Sequence, residues 1–219
     1  MKVVEIFKSI DGEGIRAGLP VTFVRLYGCN LNCSYCDTPY SHLTESDEAY
    51  DMSVDGIISV VQSFGIPNVT VTGGEPMIQK DIIELLDGLI ERGFVVNVET
   101  NGTFQVPAKY DYTNSDRIIF TMDYKCPSSG MCEEMSIANL NTLRHNDVLK
   151  FVVGSKQDLD EAKKVLGMID TCPMVYFSPV FGMIEPKQIV QYLLDNQMYD
   201  CKVQIQLHKV IWNPNERGV

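Results

Sequence analysis

The sequence is poor in positive charge. Its 18 Lys and Arg stand against 29 Asp and Glu, a net charge of −11. Nucleic-acid binding needs a basic face to neutralise phosphates, so this balance argues against such a partner and leaves solubility as its plain meaning. Long apolar runs are also missing. None approaches the roughly 20 residues of a spanning helix, so no membrane partner is expected. The opening Met1-Lys2-Val3-Val4-Glu5-Ile6-Phe7 lacks the basic, apolar and cleavage regions of a secretion signal, and a cytoplasmic location is expected. There is no low-complexity tract and no Ser/Gly linker. A single domain over residues 1–219 is expected, large enough for its own core. Seven cysteines, an odd number in a chain without a signal, argue against a disulfide framework.

What is present is an alternation of strands and helices. Strands are expected at Val3–Phe7, Val21–Leu26, Val69–Thr72, Phe94–Glu99, Ile118–Met122, Val148–Val153, Val175–Phe177 and Val203–Leu207. Helices are expected at Val54–Phe64 behind a Ser53 cap and at Asp81–Arg92, ended by Gly93. Others are expected at Ile137–Leu143, from an Asp158 cap to Met168, and at Pro186–Leu194 with proline in its first turn. Such an order implies parallel strands with right-handed crossovers. With fewer helices than a closed eight-fold barrel has, an open, partial barrel of α/β class fits best. Nearly every chemically loaded motif follows the C-terminal end of a strand, where parallel α/β folds assemble their sites.

The first of these motifs is Cys29-Asn-Leu-Asn-Cys33-Ser-Tyr-Cys36. Three thiolates so close can share one metal centre. A [4Fe-4S] cluster takes four ligands, so three cysteines leave one iron open to a small molecule. Zinc is the alternative, with His42 as the only nearby fourth ligand. The second motif is Gly73-Gly74-Glu75-Pro76. Its paired glycines allow a close backbone approach, and Glu75 offers an acceptor for an ammonium, a ribose or a lysine. Alone it reads equally as a turn.

Together the two motifs resemble those of the radical S-adenosylmethionine (SAM) enzymes, whose open iron is chelated by SAM. Four further segments narrow the resemblance: Ser9-Ile10-Asp11-Gly12-Glu13-Gly14, Phe23-Val24-Arg25-Leu26-Tyr27-Gly28-Cys29, Cys36-Asp37-Thr38 and Gln206-Leu207-His208-Lys209. From Glu5 to Trp212 the chain is similar to the 7-carboxy-7-deazaguanine synthases, the radical SAM family of the queuosine and archaeosine pathways.

The resemblance implies that Cys29, Cys33 and Cys36 hold the cluster and that Tyr35, Cys36, Asp37 and Gly74 contact SAM. Asp123, Tyr124 and Lys125 fall at the family's next SAM-contacting segment, and Ser178 is a further candidate. Thr38 would bind magnesium. Ile10, Asp11, Gly12, Glu13, Arg25, Thr72 and His208 would hold the substrate, 6-carboxy-5,6,7,8-tetrahydropterin. Arg25 suits its carboxylate, and Asp11 or Glu13 suits its amidine edge. No side chain is expected to carry the radical, which SAM supplies. A flavodoxin or ferredoxin donor and a homodimer are also implied.

Two departures from the family pattern stand out. Many members have glutamine where this chain has Asp11, and some end at the proline matching Pro214, whereas here Asn215-Glu216-Arg217-Gly218-Val219 follows. The tail is expected either to fold over the site or to hang free. Cys126, Cys132, Cys172 and Cys201 are expected to be ordinary thiols. Two other functions compete: a radical SAM activase that makes a glycyl radical on a partner protein, and a metal-binding module without catalysis. Arg25 and His208-Lys209 suit a small anion rather than a protein, and the Gly73-Gly74 pair argues against a bare binding module.

Overall fold

A computed structural model describes residues 1–42, 49–111 and 116–219. Its strands are β1 (Lys2–Ile10), β2 (Pro20–Leu26), β3 (Tyr50–Asp51), β4 (Asn68–Gly73), β5 (Val95–Thr100), β6 (Ile118–Tyr124), β7 (Val148–Val153), β8 (Met174–Pro179) and β9 (Cys201–Val203). They form a single sheet in the order β3-β1-β2-β4-β5-β6-β7-β8-β9. From β2 onward in that order the pairs are parallel. The sheet is open, a partial barrel.

The expectation of parallel strands fails at one edge. β1 runs antiparallel to β2, and β3 antiparallel to β1. Only the short loop from Ile10 to Pro20 joins β1 to β2, which leaves no room for the crossover that a parallel pair needs.

The helices are α1 (Val54–Phe64), α2 (Ile82–Glu91), α3 (Ile137–Leu140), α4 (Lys156–Leu166), α5 (Pro186–Asp195) and α6 (Leu207–Ile211). Ser53 caps α1 by accepting a hydrogen bond from Gly56 N at 3.1 Å. α3 stops at Leu140, short of the expected Leu143. The cap of α4 is Ser155 rather than Asp158, which instead closes a capping box from the third helical position. The expected strand Val203–Leu207 ends at Val203, and Leu207 begins α6. The alternation Val-Gln-Ile-Gln-Leu reads as a strand. Its backbone is drawn elsewhere, because Leu207 N donates to Gly12 O at 3.1 Å.

Strand alternation divides the sheet chemically. Val69, Val71, Val96, Val98, Phe120, Met122, Leu149, Phe151 and Phe177 lie in the core that the helices cover. Their strand neighbours Thr70, Thr72, Asn97, Glu99, Thr121, Asp123, Lys150 and Ser178 alternate with them onto the opposite face. That face is polar, which a structural barrel core would not be.

Candidate active site

The loops after β2, β4, β5 and β6 and the C-terminal segment enclose a cavity of about 840 Å³. Its wall includes Cys29, Cys33 and Cys36. Tyr35, Asp37, Thr38, Gly74, Asp123 and Lys125 also line it. So do Ile10, Gly12, Glu13, Arg25, Thr72 and His208. Three expected residues do not reach it. Asp11 is buried elsewhere against Arg16, at 2.7 Å. Tyr124 points to the helix side, where its hydroxyl donates to Glu161 Oε1 at 3.2 Å. Ser178 is buried behind Glu13, to which it donates, and it accepts from Gln204 Nε2 at 2.7 Å.

The cysteine loop owes its position to glycine. A Cβ on Gly73 would lie 2.1 Å from Leu26 O, and one on Gly74 2.0 Å from Gly28 O. Only two bare backbones pack this closely. Gly74 N donates to Leu26 O at 3.1 Å and Glu75 N to Gly28 O at 2.7 Å, so the loops after β2 and β4 are one unit. Glu75 is not the free acceptor that its place in the motif suggests. It is fully buried, and its carboxylate accepts from Met77 N at 2.8 Å, Thr100 Oγ1 at 2.8 Å and Asn101 N at 2.6 Å. Burial pushes its pKa up while these donors hold it down. Asn101 carries the same structure to the thiols, with Nδ2 3.7 Å from Cys29 Sγ.

Burial raises the pKa of Cys29 and of Cys33. Bare, they are thiols, and a bound metal centre would draw off their protons. Among the described residues no three His, Cys, Asp or Glu side chains gather as ligands of one ion. His42, the fourth ligand a zinc site would use, also lines the cavity. Three soft donors lining one cavity, beside a backbone opened by glycine, fit a [4Fe-4S] cluster with one iron left open.

The floor carries a charge network. Lys125 Nζ lies 3.1 Å from Asp123 Oδ2, and Lys150 Nζ lies 3.1 Å from Asp123 Oδ1 and 3.3 Å from Glu13 Oε2. These two ammonium groups keep Asp123 below the usual carboxylate range against its burial. Glu99 accepts from Thr72 Oγ1 at 2.8 Å, and burial raises its pKa. Gln204 donates to Glu13 Oε1 at 3.1 Å and accepts from Gly14 N at 2.7 Å. Lys150, Glu99 and Gln204 were not among the expected site residues. Lys150 had a signal: a lysine inside the apolar run Val148-Leu149-Lys150-Phe151-Val152-Val153 has to find carboxylates.

Arg25 is already engaged. Its Nε donates to Glu5 Oε1 at 2.7 Å, and Tyr40 OH reaches the same oxygen at 3.2 Å. His208 packs against Gly12, where a Cβ would lie 2.3 Å from Nδ1, and burial lowers its pKa. His208 sits on α6 rather than at a strand end. The tail folds over the mouth. Pro214 to Val219 line the cavity, and the Arg217 guanidinium lies 3.5 Å from the Tyr40 ring centroid.

Comparison with known proteins agrees with this geometry. Residues 23–113 match the Radical SAM superfamily. The chain is 44% identical to the 7-carboxy-7-deazaguanine synthase of Clostridium acetobutylicum, over 100% of this chain and 99% of that one. It is 43% identical to the synthase of Methanospirillum hungatei, over 98% and 86%. The crystal structure of QueE from Escherichia coli shares the fold, with a TM-score of 0.76 at 23% identity over 94% and 93% of the two chains. Full-length identity at this level, on a chain whose three clustered cysteines line one cavity, is decisive: the chain belongs to the 7-carboxy-7-deazaguanine synthase family of radical SAM enzymes.

Proposed function

We propose that this enzyme converts 6-carboxy-5,6,7,8-tetrahydropterin to 7-carboxy-7-deazaguanine with loss of ammonia. Substrate and product differ by one ammonia, so the conversion is redox-neutral overall. One observation carries the reading. The three cysteines, the glycine pair and the Glu13–Lys150–Asp123 network all line the same cavity of about 840 Å³, large enough for a cofactor and a small substrate together. Family membership implies a [4Fe-4S] cluster and SAM. Bound on Cys29, Cys33 and Cys36, these supply a carbon-centred radical able to take hydrogen from substrate.

The chain's own share is binding, orientation and exclusion of water. Gly74 leaves backbone open to SAM, with Tyr35, Asp37, Asp123 and Lys125 around it. Glu13 faces the amidine edge of the pterin. Arg25, held by Glu5, offers positive charge to the substrate carboxylate, and His208 and Thr72 complete the pocket. Ser178 acts through Glu13 rather than on SAM. Asp11 acts through the backbone of its loop rather than on the pterin.

Thr38 is proposed as a magnesium ligand. Its carbonyl accepts from Ser41 N at 2.9 Å, while its hydroxyl lines the cavity 3.9 Å from Cys36 Sγ. A single hydroxyl fits a hard cation that draws its other oxygens from substrate and water. The homodimer, the flavodoxin or ferredoxin donor, the single domain over residues 1–219 and the cytoplasmic location belong to the same proposal. A tail lying across the mouth tells against the activase reading, which needs an open face for a partner protein.

The test is anaerobic turnover. The protein is loaded with iron and sulfide, reduced, and given SAM, magnesium and the tetrahydropterin. 7-Carboxy-7-deazaguanine is expected by mass spectrometry from the wild type and not from Cys33→Ala. Release of 5′-deoxyadenosine without that product would discard the substrate.

A further inference from the structure

Lys150 is only 6% exposed, in a strand whose neighbours Leu149 and Phe151 are fully buried. A lone ammonium in such a place is costly, and its partners decide why it is kept. One is on the adjacent strand and the other lies several strands away across the sheet. Asp123 is its register neighbour on β6, while Glu13 comes from the loop between β1 and β2. Each carboxylate has its other oxygen occupied. Asp123 Oδ2 faces Lys125, and Glu13 Oε1 takes Ser178 and Gln204. Lys150 therefore uses the remaining oxygen of each and is the cation lying between them.

We propose that Lys150 is a positioning residue that fixes the substrate-side carboxylate Glu13 and the cofactor-side carboxylate Asp123 in one register, so that pterin and SAM meet at a set distance. This rests on the functional reading above. With the ammonium gone, Glu13 loses its ion-pair partner while Asp123 keeps Lys125, and two half-buried carboxylates are left to repel. Glu13 then shifts, and the loop that holds the pterin shifts with it. Misplacement by about 1 Å costs on the order of 100-fold in a reaction that depends on alignment. The radical would then form without finding its hydrogen.

The test compares wild type, K150M and K150R as loaded enzymes, reading 5′-deoxyadenosine released per product formed. It also measures tetrahydropterin binding to the cluster-free proteins by calorimetry. For K150M the release ratio is expected to rise, and pterin affinity to fall, each by about 10-fold or more. K150R keeps the charge but not the compact ammonium. It is expected to bind pterin within about 3-fold of wild type and still to raise the release ratio by about 3-fold or more. A K150M protein that only melts earlier, with both readouts unchanged, overturns the proposal. If K150M does not fold, a wild-type release ratio in K150R overturns it. A wild type that neither binds nor turns over the pterin overturns the functional reading, and this role of Lys150 with it.

Discussion

Arg16 offers a test of the fold's foundation. It is buried at the end of the barrel away from the cysteines, where Nε donates to Asp11 Oδ2 at 2.7 Å. Its other nitrogens donate to Val95 O at 3.0 Å, Val69 O at 3.1 Å and Thr70 Oγ1 at 2.6 Å. It thus pins the loop carrying Glu13 to the first residues of β4 and β5. Arg16→Met removes these donors and leaves Asp11 buried with Thr70 as its side-chain donor. Breaking a buried pair from one side costs about 3–5 kcal/mol. The stranded carboxyl can escape by taking a proton, which at pH 7 costs about 4 kcal/mol for a group whose unfolded pKa is about 3.9. At pH 5 the same escape costs only about 1.5 kcal/mol. Burial already raises the Asp11 pKa with Arg16 in place. A carboxyl raised in the folded state binds more protons there than when unfolded, so its penalty grows as pH rises. Urea unfolding of the cluster-free protein at both pH values reads this directly. The expected loss at pH 7 is about 3–5 kcal/mol, shrinking by about 2 kcal/mol at pH 5. A loss below about 1 kcal/mol at pH 7, or one independent of pH, would refute the reasoning.

Two further outcomes are expected. Gly74→Ala places a methyl 2.0 Å from Gly28 O, so the cysteine loop must move. Iron bound per chain after anaerobic loading should fall well below the wild-type value, while far-ultraviolet circular dichroism stays close to it; a full iron complement would contradict the contact. His208 has its pKa lowered by burial, so the unfolded state gains its proton first as pH falls. Stability should therefore drop below about pH 6.5, and His208→Asn should flatten that part of the profile, as read from melting temperatures between pH 5 and 8.

Much of this molecule is legible in its sequence. Val21–Leu26, Val54–Phe64 and Val148–Val153 stand nearly where apolar periodicity puts them, because burial on the helix side of the sheet enforces that pattern. Strand direction is a different matter. β1 has the composition of its neighbours, and only the length of its connection to β2 reveals that it runs antiparallel. β3 has two residues and no periodicity to read. Residue types around the site are legible, but their partners are not. Arg25 reads as a free cation, and nothing in the linear pattern shows that Glu5 holds it. Glu75 was given to a ligand, and Thr100 and Asn101 claim it. Such assignments are settled by which face a side chain takes and what crosses the sheet beside it, and a linear pattern holds neither.

The joint made by Gly73, Gly74 and Glu75 has a consequence for how the enzyme survives oxygen. In small zinc modules the metal organises the chain, and its removal unfolds the protein. Here hydrogen bonds among strand ends hold the thiol-bearing loop, and none of those bonds uses iron. Oxidative loss of the cluster should therefore leave the loop anchored to its neighbours by these bonds rather than unfold the chain.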